Sequence, residues 1–117
     1  MVPQPGDKIL ILKQPWIDMV LRGEKKLEIR ALPYSGGNYW LGRKSVIYGL
    51  ARLGRAIPIS TVKDWHALRP RHRVQSLTLP YKKTFGLPVL SAVAVAPTPY
   101  WHPKGAIGIV MFRPRPV

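Results

Sequence analysis

The chain has 117 residues, enough for one compact domain, and 46% of them are hydrophobic, enough for a real core. Cysteine is absent, which excludes disulfides and thiolate metal sites, and no apolar run approaches a membrane span. Nineteen Lys and Arg face five Asp and Glu, a formal charge of +14, and such an excess repels itself unless a polyanion answers it.

Nucleic acid is the polyanion that fits best, because each phosphate contact by Lys or Arg releases condensed counterions. The bland alternative is a basic surface that is simply solvated. Residues 1–7 lack the basic and long apolar regions of a signal peptide, so a soluble cytoplasmic protein with no membrane partner is expected. Thirteen prolines and ten glycines punctuate the chain every few residues, which predicts short strands and turns over long helices.

Ile9-Leu10-Ile11-Leu12 is wholly apolar and predicts a strand buried on both faces. Pro15 suits the first position of a helix with Trp16, Met19 and Val20 on one face and an Asp18–Arg22 pair on another. Gly23 stops that helix. From Glu24 to Arg30 the period becomes two, so Lys26, Glu28 and Arg30 face one way while Leu27 and Ile29 enter the core. Residues 33–42, with Gly36-Gly37-Asn38 between Tyr34 and Tyr39-Trp40, are expected as a loop. Ser45 to Ala51 predicts a central strand in which Gly49 marks a bulge or a close approach.

Ser60 or Thr61 caps a second helix, Thr61 and Asp64 having capping-box spacing, with Val62, Trp65 and Leu68 on its buried side. Arg69 to Arg73 then reads as a basic turn, Arg-Pro-Arg-His-Arg. Val89 to Val95 and Ile107 to Phe112 predict two more strands, joined through residues 97–105. Residues 113–117 form a Pro/Arg-rich tail, expected to be extended and mobile. The sum is a single α+β domain over residues 1–117, most simply a small closed or nearly closed β-barrel with two short flanking helices.

One segment stands out. A short helix ending at glycine, then a lysine, then a strand carrying Glu-x-Arg gives Gly-x-Lys-x-x-Glu-x-Arg, filled by Gly23, Lys25, Glu28 and Arg30. This resembles the ASCH domain family, relatives of the PUA-like β-barrels. Gln14-Pro15-Trp16 ahead of the helix, Tyr81-Lys82-Lys83-Thr84-Phe85-Gly86 and Tyr100-Trp101-His102-Pro103-Lys104-Gly105 extend the resemblance over residues 8–112. It implies a PUA-like barrel with a cleft between helix and barrel, lined by the motif and associated mainly with RNA.

On that resemblance Lys25 presents a cation to phosphate or a base carbonyl. Arg30 either binds phosphate bidentately or is held by Glu28, and Glu28 either accepts a hydrogen bond from a base or ties helix to strand. Tyr34, Tyr39 and Trp40 are candidates for stacking on unpaired bases, and Arg69, Arg71 and Arg73 with Lys82 and Lys83 for an electrostatic track. Trp16 and Trp65 sit at core spacing. The expected partner is RNA, single-stranded or with exposed bases, and a larger nucleoprotein assembly anchored by the tail is the wider alternative.

Catalysis stays open. Some ASCH proteins are amidohydrolases on acylated cytidine, using the motif lysine with a threonine three residues on, where this chain has Glu28. Ribonuclease activity is also proposed in the family. Metal-free RNA cleavage needs a base and a cation, for which Lys25, Arg30, Tyr34 and one of His66, His72 or His102 are candidates. Five scattered acids and three separated histidines give no metal-ligand spacing, so neither metal nor cofactor is expected.

Overall fold

The computed structural model describes residues 1–116. In chain order they form β1 (Lys8–Ile11), α1 (Trp16–Leu21), β2 (Leu27–Arg30), β3 (Gly37–Arg43), β4 (Val46–Leu53), β5 (Ile57–Ile59), α2 (Val62–Ala67), α3 (Arg69–His72), β6 (Thr84–Pro99) and β7 (Ile109–Met111). The strands make one mixed sheet in the order β2-β6-β4-β3-β1-β7, with β5 also paired to β6. It curls into a half-barrel with short helices against it, the PUA-like α+β arrangement expected from the sequence. The pair β1 and β3 runs parallel, in register from Ile9 opposite Trp40 to Ile11 opposite Gly42.

Strand alternation divides the core in two. Leu10 and Leu12 from β1 and its end, Tyr39 and Leu41 from β3, and Ala51 and Leu53 from β4 join Ile17 and Val20 of α1 on one face. Ile9 and Trp40, one residue out of phase, and Ile47, beyond the register shift before Gly49, meet Tyr100, Val110 and Phe112 on the other. A third cluster, Leu27, Ile29, Ile59 and Trp65, seats α2 over β2 and β5.

This division overturns the loop expected over residues 33–42, which is strand from Gly37 onward. Of the glycines there, Gly37 takes a positive φ of +137° at the strand start, while Gly42 is required by close packing. A Cβ on Gly42 would lie 2.7 Å from the Ile9 side chain. Tyr39 and Trp40 are therefore core side chains on opposite faces of a central strand, not mobile stacking rings. Val62 is exposed although its spacing predicted burial, leaving Trp65 as the buried anchor of α2.

Other expectations hold in detail. Gly23, at φ +78°, ends α1 with the Gly23 amide on the Val20 carbonyl and the Glu24 amide on the Met19 carbonyl. That is a Schellman closure, which wants a residue free to be left-handed. The Asp64 amide donates to Thr61 Oγ1 at 3.0 Å, capping α2. Residues 69–72, expected as a turn, make a third helix, α3, ended by Arg73 at φ +64°. The tail is pinned through residue 114, by a Tyr100–Pro114 bridge and a Trp101 amide donating to the Arg113 carbonyl, while Val117 lies outside the described residues. Among the described residues no helix is long and apolar enough to cross a membrane.

Gly49 combines both features predicted for it. The β4–β6 register shifts between Ile47 and Gly49, and a Cβ there would collide with the Leu21 side chain while lying 3.0 Å from the Val93 carbonyl oxygen. Gly49→Ala should therefore cost about 1–3 kcal/mol of stability through overpacking, read as a lower denaturant midpoint at unchanged m-value.

Candidate nucleic-acid interface

The motif residues fold into a chain of charges running inward from the turn after α1. Lys25 is 1% exposed. Its ammonium donates to the His72 carbonyl, lies 3.7 Å from Glu28 Oε1 and sits 4.6 Å from the centre of the Trp16 ring. Glu28 Oε2 accepts from Arg30 Nε at 2.8 Å, and the Arg30 terminal nitrogen donates to the Ile11 carbonyl at 2.7 Å. One carboxylate thus bridges two cations, which in turn hold backbone of α3 and β1. Burial pushes the Lys25 pKa below the ordinary lysine range, and the Glu28 carboxylate opposes that shift.

Glu28, expected to point outward on its strand, is 5% exposed because Lys25 and Arg30 close over it. Neither Lys25 nor Glu28 offers a group to a phosphate at the surface. Arg30 is half-buried and committed to Glu28 and Ile11.

The exposed cations lie directly around this buried chain. The Lys26 amide donates to the Arg71 carbonyl at 2.8 Å, and Arg73 Nε donates to the Glu24 carbonyl at 3.1 Å. With the Lys25–His72 bond these stitch the motif turn to the Arg-Pro-Arg-His-Arg segment, two basic stretches far apart in sequence. Arg22, Lys26, Arg71 and Arg73 are all exposed there. Arg22 turns to Glu24, at 2.9 Å, rather than to the expected Asp18. Arg69 faces inward, donating to the Val74 and Ser76 carbonyls. Lys82 and Lys83 are exposed ahead of β6, and among the described residues no hydrogen bond or ion pair joins them to this patch.

Beside the patch runs a groove of about 230 Å³, between residues 20–23 with Lys25 and Lys26 on one side and residues 89–92 of β6 on the other. Arg22 and Lys26 supply its cations, and the exposed Leu90 an apolar wall. Sequence reasoning passed over Arg22 and Lys26, since neither fills a motif position. Their place beside Gly23 and Lys25 was the available signal.

The aromatic candidates go elsewhere. Tyr39 donates its hydroxyl to the Ser35 carbonyl at 2.7 Å, and Trp40 Nε1 donates to Asp7 at 3.0 Å. Tyr34, half-buried, packs against the core with its hydroxyl over Gly108. The histidine beside Lys25 is fully engaged too. His72 stacks on Trp65 with centroids 3.8 Å apart. Its Nδ1 accepts from the Val74 amide, which places the proton on Nε2, donating to the Trp65 carbonyl at 2.8 Å. His72 is thus a neutral structural ring with no free nitrogen for proton transfer. His102 bonds Tyr100 and Ala106, and His66 bonds the Leu77 carbonyl.

No protein-family model matches the chain, and no curated protein matches its sequence significantly. Solved structures do match its shape. A serine-to-alanine variant of the ASCH protein of Zymomonas mobilis superposes with a TM-score of 0.71 at 14% identity, covering 96% of this chain and 92% of that one. The unsubstituted ASCH protein of the same organism gives 0.71 at 12% identity, covering 92% and 88%. The chain has the ASCH fold. A tyrosine-to-phenylalanine variant agrees, with a TM-score of 0.69 at 13% identity over 92% of this chain and 91% of that one. The α+β fold expected from the Gly23-to-Arg30 resemblance is present, as a half-barrel with three short helices among the described residues where a closed or nearly closed barrel with two was expected, and these identities speak to fold alone.

Two outcomes check this site. Glu28→Gln strands the buried Lys25 and the half-buried Arg30, whereas Lys25→Met leaves the Glu28–Arg30 pair whole. Glu28→Gln should cost about 3–5 kcal/mol in urea unfolding and Lys25→Met clearly less. For His72, burial holds the folded pKa below the usual 6.5, with the nearby Lys25 and Arg69 charges adding to it. The unfolded chain then binds more protons, so this contribution is complete above 6.5 and lost as pH falls below it. Urea midpoints should drop between about pH 7.5 and pH 5, and His72→Phe should flatten that drop.

Proposed function

We propose that the protein is an RNA-binding module that holds RNA in the basic groove around the Gly-x-Lys-x-x-Glu-x-Arg turn. The observation supporting this is the stitching of the motif turn to the Arg71–Arg73 segment. It brings Arg71 and Arg73 next to the groove that Arg22 and Lys26 line, over the buried Glu28 carboxylate and His72 carbonyl. In this reading Lys25, Glu28 and Arg30 position the wall and do not touch the ligand. Phosphates lie against the exposed cations and bases against the apolar strand wall. The fold, shared with proteins of the ASCH type, and the +14 charge point the same way.

Fluorescence anisotropy with a labelled single-stranded RNA is the test. Affinity should fall steeply with salt. Lys26→Ala with Arg71→Ala should reduce the log–log salt slope by about 1.4, roughly 0.7 for each single-strand phosphate that is no longer neutralised. A double variant with wild-type affinity and slope would remove the groove from the binding surface.

A further inference from the structure

The groove beside the motif holds cations and no aromatic ring, yet grip on single-stranded RNA ordinarily combines a charged track with rings that take bases. The ring stands just past the C-terminal end of β6. Trp101 is 39% exposed, the most exposed of the four tryptophans. It borders a groove of about 250 Å³ with Ser45, Tyr100, His102, Arg115 and Pro116.

The tail builds the site. The Trp101 amide donates to the Arg113 carbonyl and Tyr100 bridges to Pro114, so residues 113–115 run extended beside residues 100–101. In an extended chain positions 113 and 115 share a face. The Arg113 guanidinium lies 4.9 Å from the Trp101 ring centre, and Arg115 lines the groove. Pro114 and Pro116 on either side of Arg115 restrict the backbone that carries it.

The floor is fixed. Tyr100 donates its hydroxyl to His102 Nδ1 at 2.9 Å, and His102 Nε2 donates to the Ala106 carbonyl at 2.9 Å. At the rim, Lys44 and Ser45 form the two-residue turn between β3 and β4, both with positive φ, a conformation that turns usually leave to Gly or Asn. No Asp or Glu occurs in residues 65–117, so no side-chain carboxylate of this stretch competes for Arg113 or Arg115. A half-open indole face beside a guanidinium with no carboxylate matches a planar base followed by a phosphate. An acidic side chain would use the charge and leave the ring unused.

We propose that Trp101, Arg115 and the Ser45 rim form a second nucleotide site, which takes one unpaired base and its phosphate from the bound RNA strand. This rests on the RNA reading given above. The motif groove lies beside the middle of β6 and the second site just past its C-terminal end. Val89 pairs with Leu53 near the motif groove and Pro99 with Val46 near the second. From residue 92 to residue 100 is about 25 Å at the usual strand rise.

The test uses the full chain, UMP and a single-stranded oligouridylate. In nitrogen–proton NMR, UMP should shift the Trp101 indole signal and the Ser45 and Arg115 amides, and inorganic phosphate at equal concentration should not move the indole. Trp101→Ala and Arg115→Ala should each weaken oligouridylate binding about five-fold or more with melting temperature unchanged, and Trp101→Phe should retain most of the affinity. Wild-type affinity in both alanine variants overturns this site and leaves the motif reading standing. Equal shifts with phosphate, or equal competition by polyglutamate, also overturn it by reducing it to an anion site. If the wild-type chain binds no RNA, the motif reading fails, and the UMP titration alone decides the second site.

Discussion

Glu28 is the one buried carboxylate among the described residues, and it lies between two cations whose remaining bonds go to different parts of the fold. Through Lys25 it reaches the His72 carbonyl, and through Arg30 the Ile11 carbonyl. A line of charge and hydrogen bond therefore runs from α3, across β2, to β1. These elements share little apolar contact, since α3 and β2 belong with the Trp65 cluster and β1 with the other two. Buried ions cost desolvation energy that their attraction only partly returns, so this line is poor evidence for extra stability. What it fixes is geometry, because the turn from Gly23 to Lys26 and the segment from Arg71 to Arg73 can meet in only one register.

The spacing of the motif follows from that geometry. Glycine must stand where α1 ends, because the Schellman closure puts φ at +78°. Lys25 comes two residues later, at the point where the chain turns in under Trp16. Glu28 and Arg30 are two apart on a strand, hence on the same face and within reach of each other. Such a pattern describes a scaffold. The exposed cations sit on the neighbours that the pattern leaves unspecified, Arg22, Lys26, Arg71 and Arg73, and the proposed RNA reading rests on them.

That distinction explains which features the sequence displayed. Local devices were legible: the Gly23 stop, the Thr61 cap, the close approach at Gly49 and the alternation of Leu27 and Ile29. Each depends on a few adjacent residues. The pairing of Glu28 with Lys25 or Arg30 was legible as one of two alternatives; that both form at once and bury the carboxylate was not, because Arg30 is anchored on the distant β1. Tyr39 and Trp40 were misread for a related reason. Glycines at 36, 37 and 42 read as a flexible loop, although Gly42 is the space into which Ile9 of a parallel neighbour packs. The pairing of β5 with β6 and the seating of Trp65 over β2 are likewise long-range, and nothing in Ile57-Pro58-Ile59 announces them.

The two basic regions differ in what they lack, and β6 relates them. At the motif groove, cations stand on backbone held by carbonyl acceptors, beside an apolar strand wall without a ring. Past the C-terminal end of β6 a ring stands beside tail arginines, on backbone held by Tyr100 and Trp101. Between them β6 itself carries no charged side chain from residue 84 to residue 99, although the exposed Arg52 of β4 lies opposite Ser91. A long paired strand keeps the two regions at a set separation. A flexible polyanion held at one region meets the other at an effective concentration set by its own length, which lets two modest sites act as a stronger one. Charge of one sign along the whole strand would give general attraction with no preferred path. On the proposed RNA reading, charge at two places with a ring at only one gives a bound strand a direction.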